Sequence, residues 1–523
     1  MGGRAFERVA LGTHFTVLGG CAFFTLYAAF HSAHSLIDDA LISLTYAKNI
    51  ALGHGPVYNA GAPSAGFTSP VHTLLLAAAC RLGGLDSLPV LLASMTSGAF
   101  LVLAAFAARL FHRELGLSPT TALCVGLLWL GIPFYYQGGE SALFLMLLLV
   151  ALVLWERDRP FAFGAAVGAL FLTRGEGALL GLLWGVARLW GWWRGERNTR
   201  GQLLGPGAWA LAGFLLVALP WWIYAYRTFG AILPNTLAMK MAGGGVAGAM
   251  SFARALWQGE PLAWGMSLVG PWRALLWPLA LHGAVVGLRE SAAWRRYGAF
   301  CLAYTLGYVA LGVANYPWYH VPNHFFWLGC IGISVGSGLA WLTRAGKWLP
   351  LRGVLAVALV LLVAGVSLRF ALFDADAVRD PRERPYRRAA EWVTRHLHPR
   401  ATVATREVGY LGYYTSNPIV DLDGLTSPEL APLVLANRRD EIIRERNCDV
   451  YVLAHEKASG PPPGLISIAG VVFQRVEVFE SEASWPLVYG LYLNARTRAL
   501  LPGVDRPTPP PGAILVKIGA DKI

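Results

Sequence analysis

Charged residues are scarce in this sequence of 523 residues, of which only 14% are Asp, Glu, Lys or Arg and 55% are hydrophobic. That balance is too apolar for an ordinary soluble protein. Cysteine is scarce as well: five of the six lie in apolar segments, and Cys448 stands alone near the end. Their spacing matches neither a zinc site nor a disulfide framework. The sequence also lacks a phosphate-binding P-loop, a zinc-protease helix motif and a nucleophile elbow, which argues against the enzyme classes that those motifs define.

Long apolar runs are what the sequence has in abundance, and they recur up to residue 373 and then stop. An additional run at 70–82 has about 13 residues and is too short to span a bilayer, so we interpret it as a helix lying at the outer membrane surface. The remaining runs predict about eleven transmembrane helices, at 11–30, 89–111, 119–135, 140–155, 161–173, 177–190, 207–225, 270–288, 297–314, 323–343 and 350–372.

The net charge of +12 is explained by topology rather than by nucleic-acid binding. With the N-terminus inside and 70–82 not crossing, the Arg and Lys clusters between the runs all fall on the cytoplasmic side, as the positive-inside rule requires. We interpret 11–30 as a retained anchor and not as a cleaved signal peptide. The domains expected are a transmembrane domain over 1–373, which includes a first external loop with juxtamembrane helices at 31–88, and an extracytoplasmic domain over 374–523.

Two adjacent acids, Asp38 and Asp39, follow the first apolar run. Carboxylates so close to a bilayer are costly unless they face protein or water. They begin a stretch that is predicted to be helical up to about Gly53, and a helix N-terminus favours the ionised carboxylate. An ionised carboxylate suits a general base or a metal ligand. A plain helix cap with a solvated neighbour is the alternative.

Further polar side chains occur in the segments that this topology places outside. Lys48 and Arg174 are cations suited to a phosphate or another anionic group, and Lys240 follows a predicted helix start. The alternatives are an interfacial lysine for Lys48 and a structural ion pair with Glu176 for Arg174. The others are His54 in a turn-rich loop, Glu140 before the fourth run, Glu176 beside Arg174, and His320 in an aromatic, proline-rich segment. The alternatives are a solvated histidine for His54 and a capping glutamate for Glu140. The neighbours of His320, Trp318 and Tyr319, can instead belong to an interfacial aromatic belt.

The part of the chain after about residue 380 alternates between helix and strand patterns. A helix is predicted at 387–397, and strands are predicted at 401–405, 419–422, 450–453 and 471–479, with a short final strand after a Pro-rich segment. This pattern predicts an α/β domain. Asp421 and Asp423 flank the end of a strand, where they either reach a functional site or form a turn.

The order of these motifs resembles that of bacterial class C (GT-C) glycosyltransferases, in particular the mycobacterial terminal arabinofuranosyltransferase and its relatives. The resemblance extends from about residue 36 to 431 and rests on these segments: DDALISLTYAKN, GHGPVYN, GFTSP, GGESALF, LTRGEGA, LPNTLAMK and ATVATREVGYLGYYTSNPIVDLDGLTSPELA. The sequence departs from the family's pattern at Pro63-Ser64-Ala65, where the family has acids, at His72, where it has Trp, and at Gly175, where it has Pro. The first and last departures weaken any transfer of donor or acceptor identity.

The resemblance implies a GT-C-like membrane protein that transfers a monosaccharide, arabinofuranose among the expected sugars, from a polyprenyl-phosphate carrier. The acceptor would be an extracytoplasmic glycan, glycolipid or protein, and the location the bacterial inner membrane. By resemblance Asp38 is the base of an inverting displacement, and Asp39 and Glu140 shape the site or hold a divalent metal such as Mg, Mn or Ca. The candidates for binding the donor phosphate or sugar are Lys48, His54, Arg174, Glu176, Lys240 and His320. We expect a monomer.

A transporter or flippase of lipid-linked or anionic substrates is the rival hypothesis, because acids near the membrane and interrupted helices suit that class too. No inverted internal repeat is visible in the sequence, and the charged motifs fall on one predicted face instead of at mid-membrane. Both observations favour the transferase.

Overall fold

A computed structural model describes residues 36–61, 63–84, 115, 139–195, 200–232, 234–257, 276–313, 315–344, 380–481, 485–494 and 515–518. The helices over these residues are α1 (Asp38–Ala51), α2 (Pro70–Gly83), α3 (Ser141–Glu156), α4 (Pro160–Thr173), α5 (Ala178–Trp193), α6 (Arg200–Phe229), α7 (Asn235–Trp257), α8 (Leu276–Glu290), α9 (Ala292–Leu311), α10 (Val321–Arg344), α11 (Glu383–His396), α12 (Val408–Tyr414), α13 (Ala431–Leu435) and α14 (Arg439–Glu445).

The strands are β1 (Val403–Thr405), β2 (Ile419–Asp421), β3 (Val450–Glu456), β4 (Leu465–Ile468), β5 (Val471–Glu480), β6 (Leu487–Asn494) and β7 (Leu515–Lys517). They form one sheet in the order β2-β1-β3-β6-β5-β4-β7. The pairs β2-β1, β1-β3 and β4-β7 are parallel, and the other pairs are antiparallel. The α/β character predicted for this part of the chain is thereby confirmed, with β4 and β6 added to the predicted strands.

The chain divides into two compact units, and the division does not follow sequence order. The first unit contains 1–34, 89–222 and 243–378, and the second contains 35–88, 223–242 and 379–523. Residues 35–88, which correspond to most of the predicted first external loop, therefore group with the C-terminal segment. The domain boundaries at 373 and 374 stay a prediction.

The helices of the first unit pack through small residues and aromatic rings. Seven of the predicted spans fall on α3, α4, α5, α6, α8, α9 and α10, and the other four lie outside the described residues. By length and composition, one helix among the described residues, Leu204–Phe229, qualifies as a membrane span, so the number of crossings stays a prediction. In this unit Gly283 of α8 lies against α10 so closely that a Cβ would come within 1.7 Å of the Cys330 carbonyl oxygen.

The second unit joins α1 and α2 to the sheet by specific polar contacts. The side chain of Asn59 donates to the Ile419 carbonyl oxygen at 2.8 Å and accepts the Ile419 N–H at 2.8 Å, as a neighbouring strand would. Gly66 lies against the backbone at Leu425 and Thr426, where a Cβ would be within 3.0 Å of both. Helix α1 ends before Gly53, whose φ of 86° is in the left-handed region that glycine tolerates, as the sequence predicts.

Candidate functional site

Arg174 lies at the start of a tight turn in which Gly177 leaves no room for a larger side chain. Helix α4 ends at Thr173, and the Gly-Glu-Gly turn that follows leads directly into α5. Gly177 packs against Leu170, and a Cβ at Gly177 would lie 2.6 Å from the Leu170 Cγ. The turn therefore brings the Arg174 side chain back over the helix end, where it is only 6% exposed.

The guanidinium of Arg174 is occupied by two carboxylates. Its Nη1 donates to Glu140 Oε1 at 3.2 Å, and its Nη2 donates to Glu176 Oε1 at 3.1 Å. The structure thus brings together three residues that the sequence nominates in two separate motifs. One cation against two carboxylates gives this group a net negative charge.

Aromatic side chains surround this ion-pair group. The hydroxyl of Tyr308 accepts from Arg174 Nη2 at 2.9 Å and donates to Glu176, and the rings of Phe144 and Tyr319 lie 5.7 and 5.1 Å from the guanidinium carbon. Burial by itself raises the pKa of Glu176, but the charge of Arg174 and the Tyr308 hydrogen bond more than offset it, so the pKa lies below the ordinary value. Glu176 is therefore ionised at neutral pH.

His320 lies in the same unit and is 1% exposed. Its ring stacks on Phe252 at 4.3 Å, and Phe252 in turn stacks on Tyr308 at 5.0 Å. Its Nε2 is 2.8 Å from Asn315 Oδ1, while its Nδ1 has no hydrogen-bond partner among the described residues. Burial lowers the pKa of His320 to about 4, so the ring is neutral at pH 7.

Asp38 lies in the second unit at the first turn of α1 and is 6% exposed. Its Oδ1 accepts the backbone N–H of Tyr410 at 2.9 Å, across 372 positions of sequence. Burial, and then the charge of Glu407, raise the pKa of Asp38 well above the ordinary value, although backbone N–H groups partly oppose this.

Residues of the C-terminal segment form an ion-pair network beside Asp38. Arg382 binds Asp380 and Glu407, each at 2.6 Å. Burial raises the pKa of Glu407, and the charge of Arg382 opposes the rise. Glu407, Arg382 and Tyr410 are not among the residues nominated from the sequence. For Glu407 the sequence offers one signal: the adjacent residues Arg406 and Glu407 directly follow the strand predicted at 401–405, in a segment that resembles the family.

The remaining nominated residues of the second unit differ in exposure. Asp39 is partly exposed and His54 is exposed. Lys48 is part-buried, its Nζ donates to the Tyr413 carbonyl oxygen at 3.4 Å, and burial lowers its pKa. Lys240 belongs to α7. Asp421 is fully buried and accepts from Thr426 and Asp423 in the turn after β2, which favours the turn-forming alternative.

The nominated metal ligands do not form a coordination site in the described part of the chain. No group of three or more His, Cys, Asp or Glu side chains is arranged there to hold an ion. Glu140 is bound to Arg174, and Asp38 accepts a backbone N–H. Metal dependence stays a prediction.

Comparison with known proteins identifies the fold. No curated protein matches the sequence. A domain of unknown function, DUF8728, matches residues 376–501. The crystal structure of ArnT from Cupriavidus metallidurans bound to undecaprenyl phosphate is similar with a TM-score of 0.58 and 14% identity, over 91% of this chain and 97% of that one. The apo structure of ArnT from Cupriavidus metallidurans has a TM-score of 0.56 and 15% identity, over 93% of this chain and 97% of that one.

A third similar structure, the cryo-EM structure of the mycobacterial arabinofuranosyltransferase AftD, gives a TM-score of 0.47 and 16% identity over 91% of this chain and 41% of that one. The likeness to ArnT supports the predicted GT-C-like fold, and the sheet described above provides the α/β segment. At these identities it shows the fold alone, and the particular resemblance to arabinofuranosyltransferases stays a prediction.

Proposed function

We propose that this protein is a membrane glycosyltransferase that transfers a monosaccharide from a polyprenyl-phosphate carrier to an extracytoplasmic glycan, glycolipid or protein. The observation that carries the proposal is the fold likeness, over 91% of the chain, to a structure that holds undecaprenyl phosphate. The family-like motifs, which run in order along the sequence, support it. A location in the bacterial inner membrane, with the N-terminus in the cytoplasm and the C-terminal segment outside, belongs to the same proposal.

The proposed reaction is a displacement with inversion at the anomeric carbon of the donor sugar. An acceptor hydroxyl attacks that carbon and its proton passes to a carboxylate. The bond between the anomeric carbon and the phosphate oxygen breaks, and the lipid phosphate leaves with the electron pair. Asp38 suits the role of base because burial raises its pKa above that of an ordinary aspartate, which makes its carboxylate a stronger proton acceptor.

The leaving phosphate needs a cation, and the environments of the nominated side chains separate the candidates. Arg174 already binds two carboxylates and so lies in a group of net negative charge. His320 is neutral at pH 7. Lys48 contacts a carbonyl oxygen and a tyrosine ring, and it forms no ion pair with a carboxylate among the described residues. Among Lys48, Arg174 and His320, we therefore propose Lys48 as the phosphate-binding cation.

Replacing this cation should weaken donor binding. We expect Lys48→Ala to raise the KM for the lipid donor about ten- to a hundred-fold, because a hydrogen bond to a charged group contributes about 1.5–3 kcal/mol. Lys457→Ala is the matched control, since Lys457 is also part-buried and also donates to a carbonyl oxygen, that of Ser481. Steady-state kinetics in detergent measures both. An unchanged KM in Lys48→Ala would assign the phosphate to another residue.

The proposal as a whole is tested by release of free polyprenyl phosphate from purified protein. Donors carrying arabinofuranose, mannose, glucose or galactose are supplied with glycan acceptors, with and without a chelator. We expect release from one donor, which identifies the sugar, and the chelator decides metal dependence. No release from any donor, together with movement of the lipid-linked sugar across proteoliposome bilayers, would favour the transporter.

A further inference from the structure

Helix α12 of the C-terminal segment contacts Asp38 and Lys48, the two side chains of α1 to which the proposed function gives roles. Near its start, the N–H of Tyr410 donates to Asp38 Oδ1 at 2.9 Å. Near its end, the carbonyl oxygen of Tyr413 accepts from Lys48 Nζ at 3.4 Å. A single short helix therefore touches the proposed base and the proposed phosphate-binding lysine.

The contact at Asp38 is as close as a polypeptide backbone permits. A Cβ at Gly409 would lie 1.9 Å from the Asp38 carbonyl oxygen and 2.9 Å from its Cγ, so only glycine fits there. The next residue adds a second bond, from the Tyr410 hydroxyl to the Leu36 carbonyl oxygen at 3.0 Å. Two consecutive residues of the C-terminal segment thus fix both the main chain and the side chain at the start of α1.

Helix α12 is itself held firmly within the second unit. The ring of Tyr410 stacks on Tyr386 of α11 at 5.8 Å with an interplanar angle of 6°. The hydroxyl of Tyr58 donates to the Val408 carbonyl oxygen at 2.6 Å. Directly before α12, Glu407 pairs with Arg382. Contacts on several sides therefore hold the first helical turn of α12, at Gly409 and Tyr410 (the Gly409-Tyr410 turn), in place.

We propose that the Gly409-Tyr410 turn is the positioning element of the base, so that the segment matched as a domain of unknown function takes part in catalysis by fixing the Asp38 carboxylate. This inference rests on the proposed function, in which Asp38 accepts the proton. A base must lie within hydrogen-bond reach of the proton it removes. A misplacement of about 1 Å costs about a hundred-fold in rate.

The direct test is Gly409→Ala in the full-length protein. We expect kcat to fall about 30- to 100-fold while the KM for the lipid donor changes less than about threefold, because the added methyl group displaces Asp38 and touches no proposed donor-binding residue. Gly464→Ala is the matched control. Gly464 lies in the same segment and does not have a positive φ, and a Cβ there would have no described atom within 4 Å, so its kcat should stay within about twofold.

A chemical readout separates displacement of Asp38 from general loss of structure. Labelling with a water-soluble carbodiimide and an amine, followed by mass spectrometry, reports the accessibility of the Asp38 carboxyl. We expect labelling of Asp38 to rise in Gly409→Ala and to stay at the wild-type level in Gly464→Ala. If Gly409→Ala does not fold, the variant Tyr410→Phe tests the positioning role instead. It removes the hydroxyl, which donates to the Leu36 carbonyl oxygen and also interacts with Asp380, and it keeps the ring and the N–H. We expect a three- to tenfold loss of kcat.

The inference is overturned if kcat in Gly409→Ala stays within threefold of wild type, whether or not Asp38 becomes labelled. An unchanged kcat in Tyr410→Phe overturns it where the first variant does not fold. Failure of the proposed function gives a different result, because wild-type protein would then release no polyprenyl phosphate from any donor.

Discussion

Asp38→Asn should abolish sugar transfer without unfolding the protein. Asparagine keeps the side-chain oxygen that accepts the Tyr410 N–H and removes a charge that is costly to bury. What is lost is the ability to take a proton from the acceptor hydroxyl. A general base contributes about a hundred- to ten-thousand-fold to rate, and we expect kcat for release of polyprenyl phosphate to fall by that factor, with thermal stability equal to wild type or higher.

Asp440→Asn is the matched control for this substitution. Asp440 is also an acid in the first turn of a helix, α14, in the same unit. It should keep full activity. If Asp38→Asn kept more than a tenth of the wild-type kcat, with its fold intact, the proton would have to pass to another group, and the partly exposed Asp39 would be the first to examine.

The same assignment predicts how activity depends on pH. The base works only when ionised, so the rate should fall as the pH drops through the pKa of Asp38. Because burial and Glu407 raise that pKa, the fall should begin at higher pH than the value of about 3.9 for an ordinary aspartate would give. A pH profile of kcat/KM for the wild type measures it. A rate that stays flat down to pH 4 would contradict the assignment.

The sequence predicts the local structure well because local structure depends on nearby residues. The acids at 38 and 39 mark the start of α1, and Gly53 marks its end. The run that begins at Pro70 forms a helix of 14 residues. Strands predicted at 419–422 and 471–479 appear as Ile419–Asp421 and Val471–Glu480.

The site is predictable only in part, because its contacts join distant segments. Arg174 and Glu176 are two residues apart, and a turn between apolar runs suffices to pair them. Tyr410 binds Asp38 from 372 positions away, and no pattern within one sequence encodes that pairing. The ion pair of Glu407 is likewise not predictable from the sequence, because its partner Arg382 lies 25 positions before it and a helix and a strand separate the two residues.

Arg174→Ala should destabilise the protein strongly. Arg174 is the cation that both Glu140 and Glu176 bind at this turn, and it is 6% exposed. Without it, two carboxylates would share a largely buried environment in which no other cation of the described structure pairs with them. Removing one partner of a buried ion pair costs about 3–5 kcal/mol. We expect a markedly lower thermal midpoint for the detergent-solubilised protein, followed by tryptophan fluorescence.

Three further variants test whether the loss in Arg174→Ala comes from the broken ion pairs. Arg174→Lys keeps the charge but lacks the planar fork that bonds two carboxylates at once, so it should lie between wild type and Arg174→Ala. Arg395→Ala removes an exposed arginine that pairs with Glu391 at 3.5 Å and should cost less than about 1 kcal/mol. Adding Glu176→Gln to Arg174→Ala should restore part of the lost stability, because the double variant no longer buries two unbalanced charges. If the double variant were no more stable than Arg174→Ala, charge balance would not be what Arg174 contributes, and its packing against Phe144 and Tyr319 would have to account for the loss.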